Sequence, residues 1–176
     1  PLSLHDALPI CLMYKKLVEW KSSPQRKPLI LEGARQVGKT WLIDEFGPKE
    51  FKYYIKINCD NNPEVAELFS DYDIKRILRV ISAIAKKTVK PGETLIFLDE
   101  IQELPKALGS LKYFSENAPE FHIVVAGSLL GIKYHQGESF PVGKVDVLKL
   151  YPLDFNEFLL ALGENQKEEI LSNCMW

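Results

Sequence analysis

The octapeptide Gly33-Ala34-Arg35-Gln36-Val37-Gly38-Lys39-Thr40 constrains this chain more than any other stretch. It satisfies G-x-x-x-x-G-K-[ST] at every fixed position and follows the short apolar run Leu29-Ile30-Leu31. Such wording demands a buried strand, a tight glycine-bearing loop and a helix that starts at once. Glycine lets the backbone turn and come close to a ligand. The helix start presents unpaired N–H groups and the positive end of a dipole, so the loop is built for an anion. Lys39 supplies a cation to the β- and γ-phosphates of a nucleotide, and Thr40 offers its hydroxyl to Mg²⁺. The expected nucleotide-binding set is therefore Gly33, Ala34, Arg35, Gln36, Val37, Gly38, Lys39 and Thr40, with Trp41, the next residue along the helix, counted in. The expected ligands are ATP and Mg²⁺. A handful of charge-assisted hydrogen bonds at about 1.5–3 kcal/mol each covers the roughly 8 kcal/mol of micromolar binding.

A second apolar run, Leu95-Ile96-Phe97-Leu98, ends in Asp99-Glu100. A carboxylate at the end of a buried strand is costly unless a cation offsets it. Asp99 is accordingly expected to order the Mg²⁺ water shell together with Thr40. Glu100, one residue on, is placed to polarise an attacking water as general base. Catalytic roles are thus expected for Lys39 and Glu100. A third run, Ile123-Val124-Val125-Ala126, leads into Gly127-Ser128. In P-loop ATPases with a strand inserted between the phosphate-loop strand and the acidic strand, a polar residue at that tip senses the γ-phosphate. Tyr53–Asn58 is such an inserted strand, so Ser128 joins the catalytic set. A serine in an ordinary turn is the alternative.

The three runs do not alternate, so both faces of each strand should be buried, as in a parallel sheet covered by helices on both sides. Tyr53–Asn58 alternates and belongs nearer an edge, and Val145–Leu150 is a fifth strand. Helical periodicity places Ile74, Ile77, Leu78, Ile81, Ile84 and Ala85 on one stripe, with Asp73 as N-cap. Leu104, Ala107, Leu108, Leu111 and Phe114 form another, with Pro105 near its start. Leu12–Trp20 reads as a helix feeding the first strand. Thr40–Phe46 reads as a short helix stopped by Gly47-Pro48. Strand and helix alternate, which predicts a three-layer α/β/α sandwich.

The 176 residues suit one domain, and a 46% hydrophobic, 26% charged composition is that of a globular chain. A net charge of −2 supplies no global field to draw in nucleic acid. No apolar run approaches the roughly 18 residues of a membrane span. Cys11, Cys59 and Cys174 are few, odd in number and far apart, and read as free thiols of a reducing cytoplasm. His5, His122 and His135 lack metal-ligand spacing. Residues 1–10 read as a non-native leader, 11–27 as an N-terminal helix and linker, and 28–152 as the nucleotide-binding core. Residues 153–176, where Asp154 and Glu157 make a capping-box-like pair, read as the truncated start of a helical lid. The chain is expected to be a fragment.

The stretches LEGARQVGKTWL (Leu31–Leu42), LIFLDEIQELPKAL (Leu95–Leu108), VVAGSLLG (Val124–Gly131) and FPVGKVDVLKLYPLDFNEFLLALG (Phe140–Gly163) together resemble a prokaryotic family of AAA+ ATPase domains. Its members are usually described only as ATP-binding proteins. They continue into a C-terminal domain of restriction-endonuclease-like character. The resemblance implies strand order 5-1-4-3-2, ATP binding and ATPase activity, a further domain in the same protein, and no particular client. A homo-oligomer is counted among the expected partners. One departure stands out: no arginine follows Arg79. An arginine finger is worth about 10³–10⁵ in related chemistry, and Lys133 or Lys144 cannot reproduce its planar fork. Slow turnover by this chain alone is therefore expected. Arg35 is either a substitute or a solvated loop residue. Gln102 either orients groups beside Glu100 or lies on the surface. The segment 128–143 reads either as a contact loop or as a plain variable one. The cluster Lys15, Lys16, Lys21, Arg26 and Lys27 is open between a DNA contact and a solvated helix and linker.

Overall fold

The computed structural model describes residues 12–60, 63–128 and 140–152. In chain order the elements are α1 (Leu12–Ser22), β1 (Leu29–Gly33), α2 (Lys39–Glu50), β2 (Tyr53–Asn58), α3 (Pro63–Leu68), α4 (Ile74–Ala85), β3 (Thr94–Asp99), a 3₁₀ turn (Ile101–Glu103), α5 (Pro105–Asn117), β4 (His122–Ser128) and β5 (Asp146–Leu150). The five strands form one sheet in the order β2-β3-β4-β1-β5, every pair parallel. This is the order expected from the resemblance, read from the opposite edge. Parallel neighbours need crossovers, and the helices supply them.

Burial follows the apolar runs. All of β1 and β3 is buried, and so is β4 up to Gly127. The edge strands β2 and β5 alternate instead. Successive strand residues point to opposite faces, and two cores result. One holds Ile30, Ile96, Leu98, Ile123 and Val125 against Ile74, Ile77 and Ile81 of α4 and Leu108, Leu111 and Phe114 of α5. The other holds Leu29, Leu31, Leu95, Phe97 and Val124 against Leu17 and Trp20 of α1 and Leu42, Ile43 and Phe46 of α2. The chain is a three-layer sandwich. Asp73 caps α4, its carboxylate accepting from the N–H groups of Lys75 and Arg76. Pro105 opens α5, where its missing N–H costs nothing. Among the described residues no helix is long and apolar enough to cross a membrane.

The largest difference in element bounds lies at the end of α2. Helix α2 does not stop before Gly47-Pro48 but runs through both to Glu50. Pro48 lies so near the C-terminus that it removes a single rung of the helix ladder, and Phe51 N–H closes the end on Gly47 O. Packing favours the longer helix. Gly47 is buried, and a Cβ there would sit 2.5 Å from Cδ2 of Tyr54. The Tyr54 ring is held by its hydroxyl, which donates to Asp44 Oδ1 at 2.6 Å. Alanine normally stabilises a helix interior by about 1 kcal/mol over glycine. Here the clash should reverse the sign. Gly47→Ala is expected to lose about 1–2 kcal/mol net through overpacking, read as a lower urea midpoint.

At the start of β4, His122 is buried beneath α1, edge-on to Trp20 and Phe51. Burial, and then the charge of Arg26, push its pKa down to about 4. The unfolded side chain titrates near 6.5, so the unfolded state binds the extra proton first. The contribution of His122 to stability is complete above about pH 6.5 and is lost as pH drops toward about 4, by about 2–3 kcal/mol. Urea melts of the protein and of His122→Phe across that window check this. The variant should lack that part of the slope.

The basic cluster is mostly occupied. Lys21 pairs with Glu50 and also bonds its carbonyl. Arg26 donates to Glu120 O, and Lys27 Nζ donates to Gly143 O. Of the five, Lys15 and Lys16 are exposed and the other three are half-buried. Cys59 is buried and free. Cys11, Cys174, His5, His135, Lys133, the Asp154–Glu157 pair, the leader 1–10, the segment 153–176 and residues 129–139 of the β4–β5 connection lie outside the described residues.

Candidate nucleotide-binding site

The C-terminal ends of β1, β3 and β4 lie along one edge of the sheet, with Gly33 in register with Ser128 on one side and Leu150 on the other. Gly33 is required by that second neighbour. A Cβ at this position would stand 2.5 Å from Leu150 O, so the first residue of the loop is wedged against the end of β5. The loop then turns with Gln36 at φ 64° and Gly38 at φ 91°, and Lys39 begins α2. Gly38 occupies the left-handed region that a side chain disfavours. Ala34, Arg35, Gln36 and Gly38 are exposed and Val37 is half-buried. Trp41, in the first turn of α2, is 41% exposed.

Lys39 folds back over this loop. Its ammonium donates to Gly33 O at 3.0 Å and Ala34 O at 2.6 Å. Burial lowers its pKa, while Glu100 and Asp99 pull it the other way. Both acids therefore lie within electrostatic reach of Lys39. Thr40 Oγ1 donates to Asp99 Oδ2 at 2.9 Å, which joins α2 to β3 across 59 positions of sequence. The other carboxylate oxygen of Asp99 accepts from Glu100 N–H at 3.1 Å. Asp99 is only 7% exposed, and burial raises its pKa against the opposing pull of Thr40 and Lys56. The Thr40 hydroxyl and the Lys56 ammonium offset that burial only in part.

Glu100 is exposed and leaves β3 in the left-handed conformation, at φ 55°. Its carboxylate accepts from Gln102 Nε2 at 2.5 Å. Gln102 is buried, not a surface residue, and its Oε1 accepts from Ser128 N–H at 3.1 Å. The structure therefore brings Lys39, Thr40, Asp99, Glu100 and Ser128 to one edge, with Gln102 between the last two. Arg35 is exposed and has no ion pair or hydrogen bond to any described residue.

Sequence reasoning missed Lys56. Its Nζ lies 3.9 Å from Asp99 Oδ2 and donates to Asp44 Oδ2 at 2.8 Å. No local signal in the sequence points to it, because the β2–β3 register is what sets Lys56 beside Phe97, two residues before Asp99. Cys59 also borders the site, donating its N–H to Asp99 O. Burial first, then the two acids, push its thiol up to about 12, which leaves it inert as a nucleophile.

A family model described as AAA domain matches residues 25–159. No curated protein matches the sequence. Among solved structures, the Aeropyrum pernix Orc1 protein in complex with DNA is similar at a TM-score of 0.53 and 16% identity, over 93% of this chain and 50% of that one. The chain thus spans half the length of that protein, and at this identity the likeness is one of fold. Parallel sheet, strand order, loop and acidic strand end agree with the family match, and the chain belongs to the AAA domain family of P-loop ATPase-type nucleotide-binding modules.

Proposed function

We propose that this module binds Mg-ATP across Gly33–Trp41 and hydrolyses it, with Glu100 as general base. The observation that carries this reading is the Thr40–Asp99 hydrogen bond beside the Lys39 ammonium. A hydroxyl and a carboxylate 2.9 Å apart are a hard-oxygen pair, and Mg²⁺ takes one or two such protein ligands together with phosphate and water. The buried Asp99 carboxylate, set against the Thr40 hydroxyl, fits a divalent cation for the same reason. When bound, Mg²⁺ neutralises charge on the β- and γ-phosphates. Lys39 exchanges its two loop carbonyls for phosphate oxygens. The exposed loop and the α2 N-terminus donate N–H groups to the phosphates. Glu100 takes a proton from water, and Ser128 contacts the γ-phosphate.

A second reading is favoured by the arginines. Arg26, Arg76 and Arg79 all bond within the fold, and only Arg35 among the described arginines is uncommitted. With slow hydrolysis, the module acts as a nucleotide-gated switch whose partner supplies any finger. A homo-oligomer and a further domain are the partners this reading needs. A buried free Cys59 suits a cytoplasmic setting. DNA stays a proposal resting on Lys15 and Lys16 and on the DNA complex of the Orc1 protein.

The test is equilibrium binding of ATP with and without Mg²⁺, run beside phosphate release. Binding with release supports the ATPase reading, and binding without release supports the switch. No binding at millimolar ATP rules out both.

A further inference from the structure

We infer that Gln102 is the positioning residue that aims the Glu100 carboxylate and ties it to the tip of β4. The inference rests on the ATPase reading above, because it takes Glu100 to be the base. Glu100 is exposed, and a free glutamate side chain samples several rotamers. A general base must instead hold its carboxylate within hydrogen-bond reach of the proton it removes. The tether it needs is on the same turn. Gln102 is 7% exposed, and both ends of its amide are used.

The direction of that amide follows from its partners. A backbone N–H can only donate, so the end facing Ser128 must be Oε1. A carboxylate can only accept, so the end facing Glu100 must be Nε2. Turning the amide over would oppose two donors at one end and two acceptors at the other. Only a side chain with a donor and an acceptor on one planar fork satisfies both. Glutamate keeps the acceptor for Ser128 but has nothing to donate at neutral pH. Leucine has neither group. Because Ser128 ends β4 and Glu100 follows β3, a shift of the β4 tip is passed through Gln102 to the base. The bridge thereby makes the position of Glu100 depend on the strand tip that the γ-phosphate would touch.

The test uses the whole chain and its Gln102→Leu, Gln102→Glu and Glu100→Gln variants, with the double variants. Thermal melts verify folding, and the two Gln102 variants guard against one that does not fold. Both Gln102 variants should lower kcat by about 10²-fold, the cost of a base misplaced by about 1 Å, with ATP affinity within about twofold. In the Glu100→Gln background, Gln102→Leu should cost nothing more, since its effect runs through the base. Crystals of Gln102→Leu should show the Glu100 carboxylate away from its native position. A Gln102→Glu variant with native kcat would overturn the inference, because the donated hydrogen bond would then be dispensable. Full additivity with Glu100→Gln would overturn it as well. If Glu100→Gln lowers the rate and Gln102→Leu does not, the positioning role is wrong and the ATPase reading survives. If Glu100→Gln itself changes nothing, the reading beneath is what fails.

Discussion

Exchanging Glu100 for glutamine is expected to slow phosphate release by about 10²–10⁴-fold, the usual worth of a general base, and to leave ATP affinity within about threefold. The substitution preserves shape. The new side chain still carries an oxygen that can accept from Gln102, so the geometry around β3 should survive. What disappears is the basic carboxylate. The phosphate loop, Lys39 and the Thr40–Asp99 pair do not involve the Glu100 side chain directly, so binding should be spared. Single-turnover phosphate release, with affinity read from a fluorescent ATP analogue, separates the two quantities. An unchanged rate would mean that water is activated elsewhere. Loss of affinity equal to the loss of rate would mean that Glu100 serves the ground state.

Lys39→Ala should instead abolish binding at micromolar nucleotide, raising Kd by about 10²-fold or more. In the structure its ammonium makes two hydrogen bonds to loop carbonyls. On the proposed reading, those bonds go to phosphate oxygens when ATP is present, where charge-assisted contacts are worth about 1.5–3 kcal/mol each. Two of them amount to about 3 kcal/mol at least, and each 1.4 kcal/mol is tenfold. Alanine also leaves the Gly33 and Ala34 carbonyls without their donor, which loosens the loop in the absence of ligand. Isothermal titration with Mg-ATP is the measurement. A Kd within a few-fold of the parent would remove Lys39 from the site, and with it the reading of Gly33–Thr40 as a phosphate loop.

Much of this architecture can be read from three short apolar runs, because a strand buried on both faces has no room for alternation. The edges are legible for the opposite reason, since β2 and β5 each show one face to solvent. Asp73 and Pro105 mark helix starts through chemistry confined to a few neighbouring residues, so local reasoning finds them. Gly47-Pro48 misleads for the converse reason. The helix continues there because the ring of Tyr54 packs on Gly47, a contact between different elements that no local propensity contains.

The candidate site divides along the same line. The sequence by itself determined the residue types, the loop that presents backbone N–H groups, and the two acids at a strand end, because each depends on spacing within a few positions. Tertiary structure alone decided which of them meet. Thr40 reaches Asp99 only because the parallel crossovers bring the ends of β1 and β3 to one edge. Lys56 comes within 3.9 Å of Asp99 only through the β2–β3 register. Gln102 became a bridge and not a surface residue because β4 ends beside the 3₁₀ turn and offers it an N–H. Hydrogen bonds between side chains far apart in sequence depend on the packing of whole elements, and that packing is a property of the folded chain.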